Sequence, residues 1–145
     1  MPDVNVVLAA HRADHPDHVP LRDWLEAQLN GPSAFGVPEL VLSSFLRLAT
    51  NSRVFREPTP MDQALRFVDA MRASARLVMV RPGPRHFDLF VDLCRGPGVR
   101  GNLVPDAYLA ALAIEAGARW ATRDRDFARF DDLDWFDPIN DSRPA

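Results

Sequence analysis

Short apolar runs alternate with segments of helical period along this chain, and that alternation limits what it can fold into more than any other feature. Leu21, Trp24, Leu25 and Leu29 recur at helical spacing after Asp17 and Pro20, with Gly31 as a stop. A run at Phe35 to Val37 reads as a buried strand, and a helix starting near Pro38 follows with Leu40, Val41, Ser44, Phe45 and Leu48 on one face. Thr59, Pro60 and Asp62 read as N-cap, first and third residues of a helix carrying Leu65, Val68 and Met71. Leu77 to Val80 predicts a strand closed by Pro82 and Gly83, and Phe87, Phe90, Val91 and Cys94 mark another helix. After a loop with Gly96, Gly98 and Gly101, an Ala-rich helix from Pro105 presents Leu109, Leu112, Ala113 and Ala116 and stops at Gly117. Trp120 to Thr122 is a short apolar run, and Trp135 with Phe136 forms a candidate edge strand before a polar tail at about 138–145. Helices separated by short strands specify an α/β fold whose parallel sheet is flanked by helices.

The 145 residues, 47% apolar, suffice for one domain over 1–145 but not for two of ordinary size. No apolar run reaches the roughly 18 residues that span a bilayer, and Met1 and Pro2 lead into Asp3 rather than into a signal segment, so a cytoplasmic protein without membrane partner is expected. The single Cys94 excludes an internal disulfide and the thiolate-rich zinc sites. All 17 basic residues are arginine and 16 of the 20 acids are aspartate. A GC-rich coding sequence accounts for that bias, although guanidinium also suits phosphate geometry. The net charge of −3 is not that of a general nucleic-acid binder, so a polyanionic partner would need a local cationic feature.

In open parallel sheets, ligands bind outside the carboxyl ends of the strands, which directs attention to acids that follow apolar runs. Asp124 follows Trp120 to Arg123, Asp106 stands in the first turn of the Ala-rich helix, and Asp3 lies in an otherwise apolar N-terminal run. Each alone is ordinary as a cap or turn residue. Together they make a candidate cluster: carboxylates about 4 Å apart repel by roughly 4 kcal/mol per pair at an effective dielectric near 20 and need a cation. Oxygen-only ligands with open positions point to Mg²⁺ or Mn²⁺.

Four segments then resemble PIN-domain ribonucleases of the VapC toxin family: Asp3-Val4-Asn5-Val6; Phe35-Gly36-Val37-Pro38-Glu39-Leu40 leading to Arg47; Gly101-Asn102-Leu103-Val104-Pro105-Asp106-Ala107-Tyr108; and Thr122-Arg123-Asp124-Arg125-Asp126-Phe127. Their order along nearly the whole chain makes the set specific. The resemblance implies a three-layer α/β/α PIN-like fold with a short central parallel sheet. It also implies a homodimer, Mg²⁺- or Mn²⁺-dependent hydrolysis of RNA leaving 5′-phosphate and 3′-hydroxyl ends, and inhibition by a cognate VapB-like antitoxin. By the same resemblance Asp3, Asp106 and Asp124 are the metal-binding acids, Asn5 orients Asp3, and Asp126 supports the site from behind. The family's helix glutamate falls in register on Ser43, whereas Glu39 stands one turn earlier on the same face and is the candidate fourth catalytic acid. The family's first strand precedes its first aspartate, but only Met1 and Pro2 precede Asp3, so that strand either begins at residue 1 or lies upstream of it.

An acidic pocket repels RNA, which makes Arg12, Arg47, Arg123 and Arg125 the candidate phosphate contacts, with Arg53 as a further one. His11, His15 and His18 have helical spacing, but Pro16 interrupts them and a solvated loop is the expectation. His86 is a candidate for RNA or partner contact, and a groove around Trp24 and Phe45 is a candidate antitoxin seat. Two other classes fit the same residues: a catalytically inactive scaffold that binds an antitoxin-like protein, and a Mg²⁺-dependent phosphatase acting on small esters. Against the phosphatase, Asn5 stands where such enzymes place a second aspartate.

Overall fold

The computed structural model describes residues 1–141. In chain order it contains α1 (Val4–His11), α2 (His18–Asn30), β1 (Phe35–Pro38), α3 (Glu39–Ala49), α4 (Met61–Arg72), β2 (Leu77–Val80), α5 (His86–Cys94), α6 (Leu103–Glu115), β3 (Trp120–Ala121), a 3₁₀ turn (Arg125–Arg129) and β4 (Trp135–Phe136). The architecture is α/β, as the alternation predicts. Of the polar tail expected at 138–145, residues 142–145 lie outside the described residues.

The strands pair in parallel, and each pair needs a crossover. Phe35 to Pro38 register with Leu77 to Val80 across α3 and α4, and Trp120 and Ala121 register with Trp135 and Phe136 across the 3₁₀ turn. The hydrogen-bonded strands thus form two pairs rather than the one central sheet expected. Met1 and Pro2 link them. Pro2 bridges Ala121, the Ala121 amide donates to Met1 O and the Asp3 amide to Ala121 O, both at 2.8 Å. On its other side Met1 packs on Gly36, where an added Cβ would meet Met1 Cγ at 3.1 Å and Val80 Cγ2 at 2.9 Å. Two residues therefore take the place of the short first strand.

The apolar run after Asp3 is a helix rather than a strand, because the Asp3 side chain caps it by accepting from Val4 N. Its Val6, Val7, Ala9 and Ala10 are buried. Helix α6 is the central element: Ala107, Ala110, Ala111 and Ala113 are fully buried together with Leu109 and Leu112, so it is enclosed on more sides than the single stripe predicted. It ends as the sequence predicts. Gly117 turns at φ +59 while its amide bonds Ile114 O and the Ala118 amide bonds Ala113 O, a Schellman closure.

Several helix faces differ from the reading of the sequence. In α3 the buried set is Val41, Leu42, Phe45 and Ala49, and Leu40 is exposed. In α4 Ala64 joins Val68 and Met71 in the core while Leu65 faces out. Pro60, not Thr59, occupies the N-cap; the Thr59 hydroxyl instead lies 3.1 Å from His11 Nε2. In α5 His86 is buried and Phe87 is 67% exposed, the reverse of expectation. Among the described residues no helix is long and apolar enough to cross a membrane.

Candidate active site

The site begins where Met1 and Pro2 leave Ala121. Asp3 Oδ1 accepts from Val4 N at 2.6 Å, and Asp3 Oδ2 accepts from the Thr122 hydroxyl at 2.6 Å and from Asn5 Nδ2 at 2.8 Å. Thr122 directly follows β3, and its hydroxyl oxygen also accepts from Asp124 N at 3.0 Å and from Asn5 Nδ2 at 3.1 Å. The Arg123 amide donates to Asn5 Oδ1 at 3.3 Å. Residues from the two ends of the chain are thereby locked into one knot, with Thr122 fully buried and Asp3 5% exposed. Burial pushes the Asp3 carboxyl above the usual range; the bonds from Thr122, Val4 and Asn5 oppose this, and the charge of Asp124 adds to it. Thr122 entered the sequence reading only as part of a motif. The signal that would have found it is a threonine two residues before an aspartate, placed to accept that residue's amide in a side-chain turn.

Removing that hydroxyl isolates its effect. Thr122→Val is expected to destabilise the fold by about 1–3 kcal/mol, because the Asp124 amide loses its acceptor and Asp3 a donor in a buried setting. Thermal unfolding against the parent measures it.

Asp106 is set in the first turn of α6, which packs on the 3₁₀ turn. Its carboxyl is pushed up to about 6, first by burial and then by the charges of Asp124, Asp3 and Asp126, with Arg129 opposing. Asp124 caps the 3₁₀ turn, its Oδ1 accepting from Asp126 N at 2.8 Å. The fold thus places Asp3, Asp106, Asp124 and Asp126 in one electrostatic field. Among the described residues no three His, Cys, Asp or Glu side chains form a ready coordination cage. The donor set still fits Mg²⁺ or Mn²⁺: it is all oxygen, its members repel one another, and Mg²⁺ characteristically takes one or two carboxylates and keeps several waters.

Glu39 does not join this field. It is exposed and accepts from Arg81 Nη2 at 2.5 Å, a bond that holds its carboxyl below the usual range. With Ser43, also exposed, it lines a separate cleft of about 270 Å³ beside Tyr108. Asp126, expected only behind the site, is the third acid acting on Asp106, after Asp124 and Asp3.

The arginines also sort differently. Arg12 is withdrawn from any phosphate: it donates twice to Asp14, at 2.8 and 2.6 Å, and once to Glu57 O, and lies over the Phe55 ring. Arg123 pairs with Asp17 at 2.7 Å and Asp137 at 3.4 Å. Arg125 is exposed and lines a cleft of about 430 Å³ with Thr122 and Trp135, while Arg47 and Arg53 are exposed near the end of α3. Arg129, absent from the sequence candidates, is the cation that acts on Asp106.

Of the histidines, only His15 is exposed in the loop. His11 packs edge-on against Phe45 and Phe67, and His18 Nδ1 lies 3.0 Å from Ala9 O. His86 is 2% exposed with Nε2 3.0 Å from Tyr108 O, so its assignment to RNA or partner contact is corrected to a packing role. Phe45 is likewise fully buried. The groove at Trp24 is formed instead with Phe35, Val78 and Phe136 and has a volume of about 560 Å³.

Comparison with known proteins places the chain in a family. The family model described as PIN domain matches residues 1–133. Ribonuclease VapC25 of Mycobacterium tuberculosis is 48% identical over 128 residues, covering 88% of this chain and 90% of that protein. Ribonuclease VapC43 of the same organism is 44% identical over 138 residues, covering 95% and 94%. Among solved structures, VapBC2 from Rickettsia felis, bound to a DNA fragment from its promoter, superposes with a TM-score of 0.65 over 94% of this chain and 96% of the other, at 19% identity, and so shares the fold. The knot around Asp3, the aspartates facing Asp106 and the match along nearly the whole length lead to one statement: the chain belongs to the PIN-domain family and, within it, to the VapC ribonucleases.

Proposed function

We propose that this protein is a Mg²⁺- or Mn²⁺-dependent endoribonuclease, the toxin of a toxin–antitoxin pair, and that Asp3, Asp106 and Asp124 hold its metal. The supporting observation is the field at Asp106: three other aspartates press on one carboxyl that only a single arginine relieves. Such an arrangement is unfavourable in itself and becomes favourable around a divalent cation.

When bound, the metal lowers the pKa of its water and neutralises charge developing on the phosphate. Asp3 is held in one orientation by Thr122, Asn5 and the amide of Val4, and Oδ1, which accepts one hydrogen bond against two at Oδ2, is the oxygen with a lone pair left for the metal. Asp106 supplies the second carboxylate from the rigid start of α6. Asp124, whose Oδ1 is engaged by the Asp126 amide, keeps Oδ2 for the metal, directly or through a water it orients. Arg125 and Arg47 meet the RNA backbone from the exposed rim.

The partner is a VapB-like antitoxin, a reading supported by the VapC relatives and by the VapBC2 assembly with this fold, and the resting form is a homodimer, as the family resemblance implies. The withdrawal of Glu39 to Arg81 is what favours the inactive-scaffold alternative. The phosphatase reading loses ground, because Asp3 is buried and its carboxylate is fixed by three hydrogen bonds, which places it poorly to attack an ester. Incubating the purified protein with mixed RNA and with p-nitrophenyl phosphate, in Mg²⁺ or in EDTA, separates the three. RNA cleavage that disappears in EDTA is the expected result; no activity would support the scaffold, and ester hydrolysis alone the phosphatase.

A further inference from the structure

Eight arginines besides Arg129 are paired with carboxylates. Arg12, Arg22, Arg66, Arg72, Arg81, Arg95 and Arg123 face carboxylates 2.5–3.8 Å away, and Arg119 faces Asp134 and Asp141. Arg129 differs. Its Nε donates to the backbone oxygen of Asp126 at 3.0 Å, which fixes the guanidinium plane without neutralising it. Its Nη2 reaches Asp126 Oδ1 only at 3.5 Å, the outer limit of such a bond. Nη1 makes no hydrogen bond among the described residues, and the side chain is 31% exposed.

Position adds to this. Arg129 closes the 3₁₀ turn that Asp124 opens, that turn packs on α6, and the Arg129 charge acts on Asp106. Nη1 points beneath the loop at residues 96–101: a Cβ built on Gly98, whose φ is +78, would meet only that atom, at 3.9 Å. A guanidinium fixed through one nitrogen, with its remaining donors open to solvent beside a set of carboxylates, matches what a bridging phosphate needs.

Resting on the ribonuclease reading above, we propose that Arg129 is a substrate-binding residue that grips an RNA phosphate next to the scissile bond, beneath the loop at residues 96–101. It supplies the local cation that an acidic protein lacks, and does so from the same turn that carries Asp124 and Asp126.

The test is steady-state cleavage of a single-stranded RNA oligonucleotide in Mg²⁺ across a salt series, with Arg129→Gln, Arg129→Lys and Arg66→Gln beside the parent. Arg66 is a remote surface arginine paired with Asp62. Arg129→Gln is expected to lower kcat/KM about ten- to a hundredfold, as for loss of a charged hydrogen bond. It should also flatten the slope of log kcat/KM against log salt by about 0.7, the value for one phosphate contact on a single strand. Arg129→Lys should keep the parent slope, and Arg66→Gln should match the parent throughout. A merely structural role would lower activity with an unchanged slope. An Arg129→Gln slope equal to the parent's overturns the proposal, as does a flattened slope in Arg129→Lys should the Gln variant fail to fold. Absence of cleavage by the parent itself would instead overturn the ribonuclease reading.

Discussion

Asp106→Asn is expected to abolish RNA cleavage while making the protein harder to melt. Loss of a metal-binding carboxylate removes several kcal/mol of transition-state stabilisation, a rate decrease on the order of 10³-fold. Stability moves the other way, because the Asp106 carboxyl is pushed up to about 6 by burial and by Asp124, Asp3 and Asp126. A carboxyl whose folded value lies above its unfolded value binds more protons when folded. Its stabilising effect is complete below about pH 4 and is lost as pH rises through about 6. At neutral pH the charged group is therefore a burden on the fold. Discounted for partial exposure to about 1 kcal/mol, its removal raises the melting temperature by about 2–4 °C in EDTA. The gain should fade at pH 4, where the parent carboxyl is protonated in the fold. Added Mg²⁺ should raise the melting temperature of the parent but not of the variant. Melting curves at pH 4 and 7.5, with and without Mg²⁺, read all three effects. Activity lost and stability gained at one residue is the mark of a group retained for function.

Asp3→Ala should also abolish cleavage, but with a loss of stability. Here the carboxylate caps α1 and receives the Thr122 hydroxyl and the Asn5 amide. Loss of the cap costs about 1 kcal/mol. The buried donors left without an acceptor cost about 1–3 kcal/mol more, so the melting temperature should fall by roughly 6–12 °C. Asp3→Asn, which still caps Val4 but meets the donors of Thr122 and Asn5 with one oxygen only, should fall between. If Asp3→Ala melted no lower than the parent, the knot joining the two ends of the chain would not be carrying the fold. The opposite signs at residues 3 and 106 distinguish a carboxylate built into the structure from one held beside it.

Local chemistry made much of this legible. Gly117 announces its Schellman turn, Phe35 to Val37 and Leu77 to Val80 announce the parallel pair, and acids placed after apolar runs announce the cluster of interacting carboxylates at Asp106. What local chemistry does not carry is the identity of a distant partner. Glu39 shares a helix face with Ser43, as the spacing predicts, but Arg81, 42 residues away, claims its carboxylate. Arg12 reads as a free cation until the chain folds Asp14, Phe55 and Glu57 around it. The faces of α3 and α4 are chosen by what packs on them, so Leu40 and Leu65 turn outward while Leu42 and Ala64 turn in. Likewise His86, polar beside an apolar stripe, enters the core because Tyr108 O is there to meet its ring nitrogen and Phe90 to stack on it. Arg129 is not legible in the sequence because its value lies in its action on Asp106 in α6, which its own neighbours in sequence do not reveal.

The central claim, that carboxylates from the start, middle and end of the chain share one divalent ion, is tested most directly by anomalous diffraction from crystals grown with Mn²⁺. The account predicts a peak at about 2.1 Å from oxygens of both Asp3 and Asp106, with Asp124 reaching it directly or through water. A peak held by Glu39 and Ser43 instead, or none near Asp106 at millimolar Mn²⁺, would contradict it.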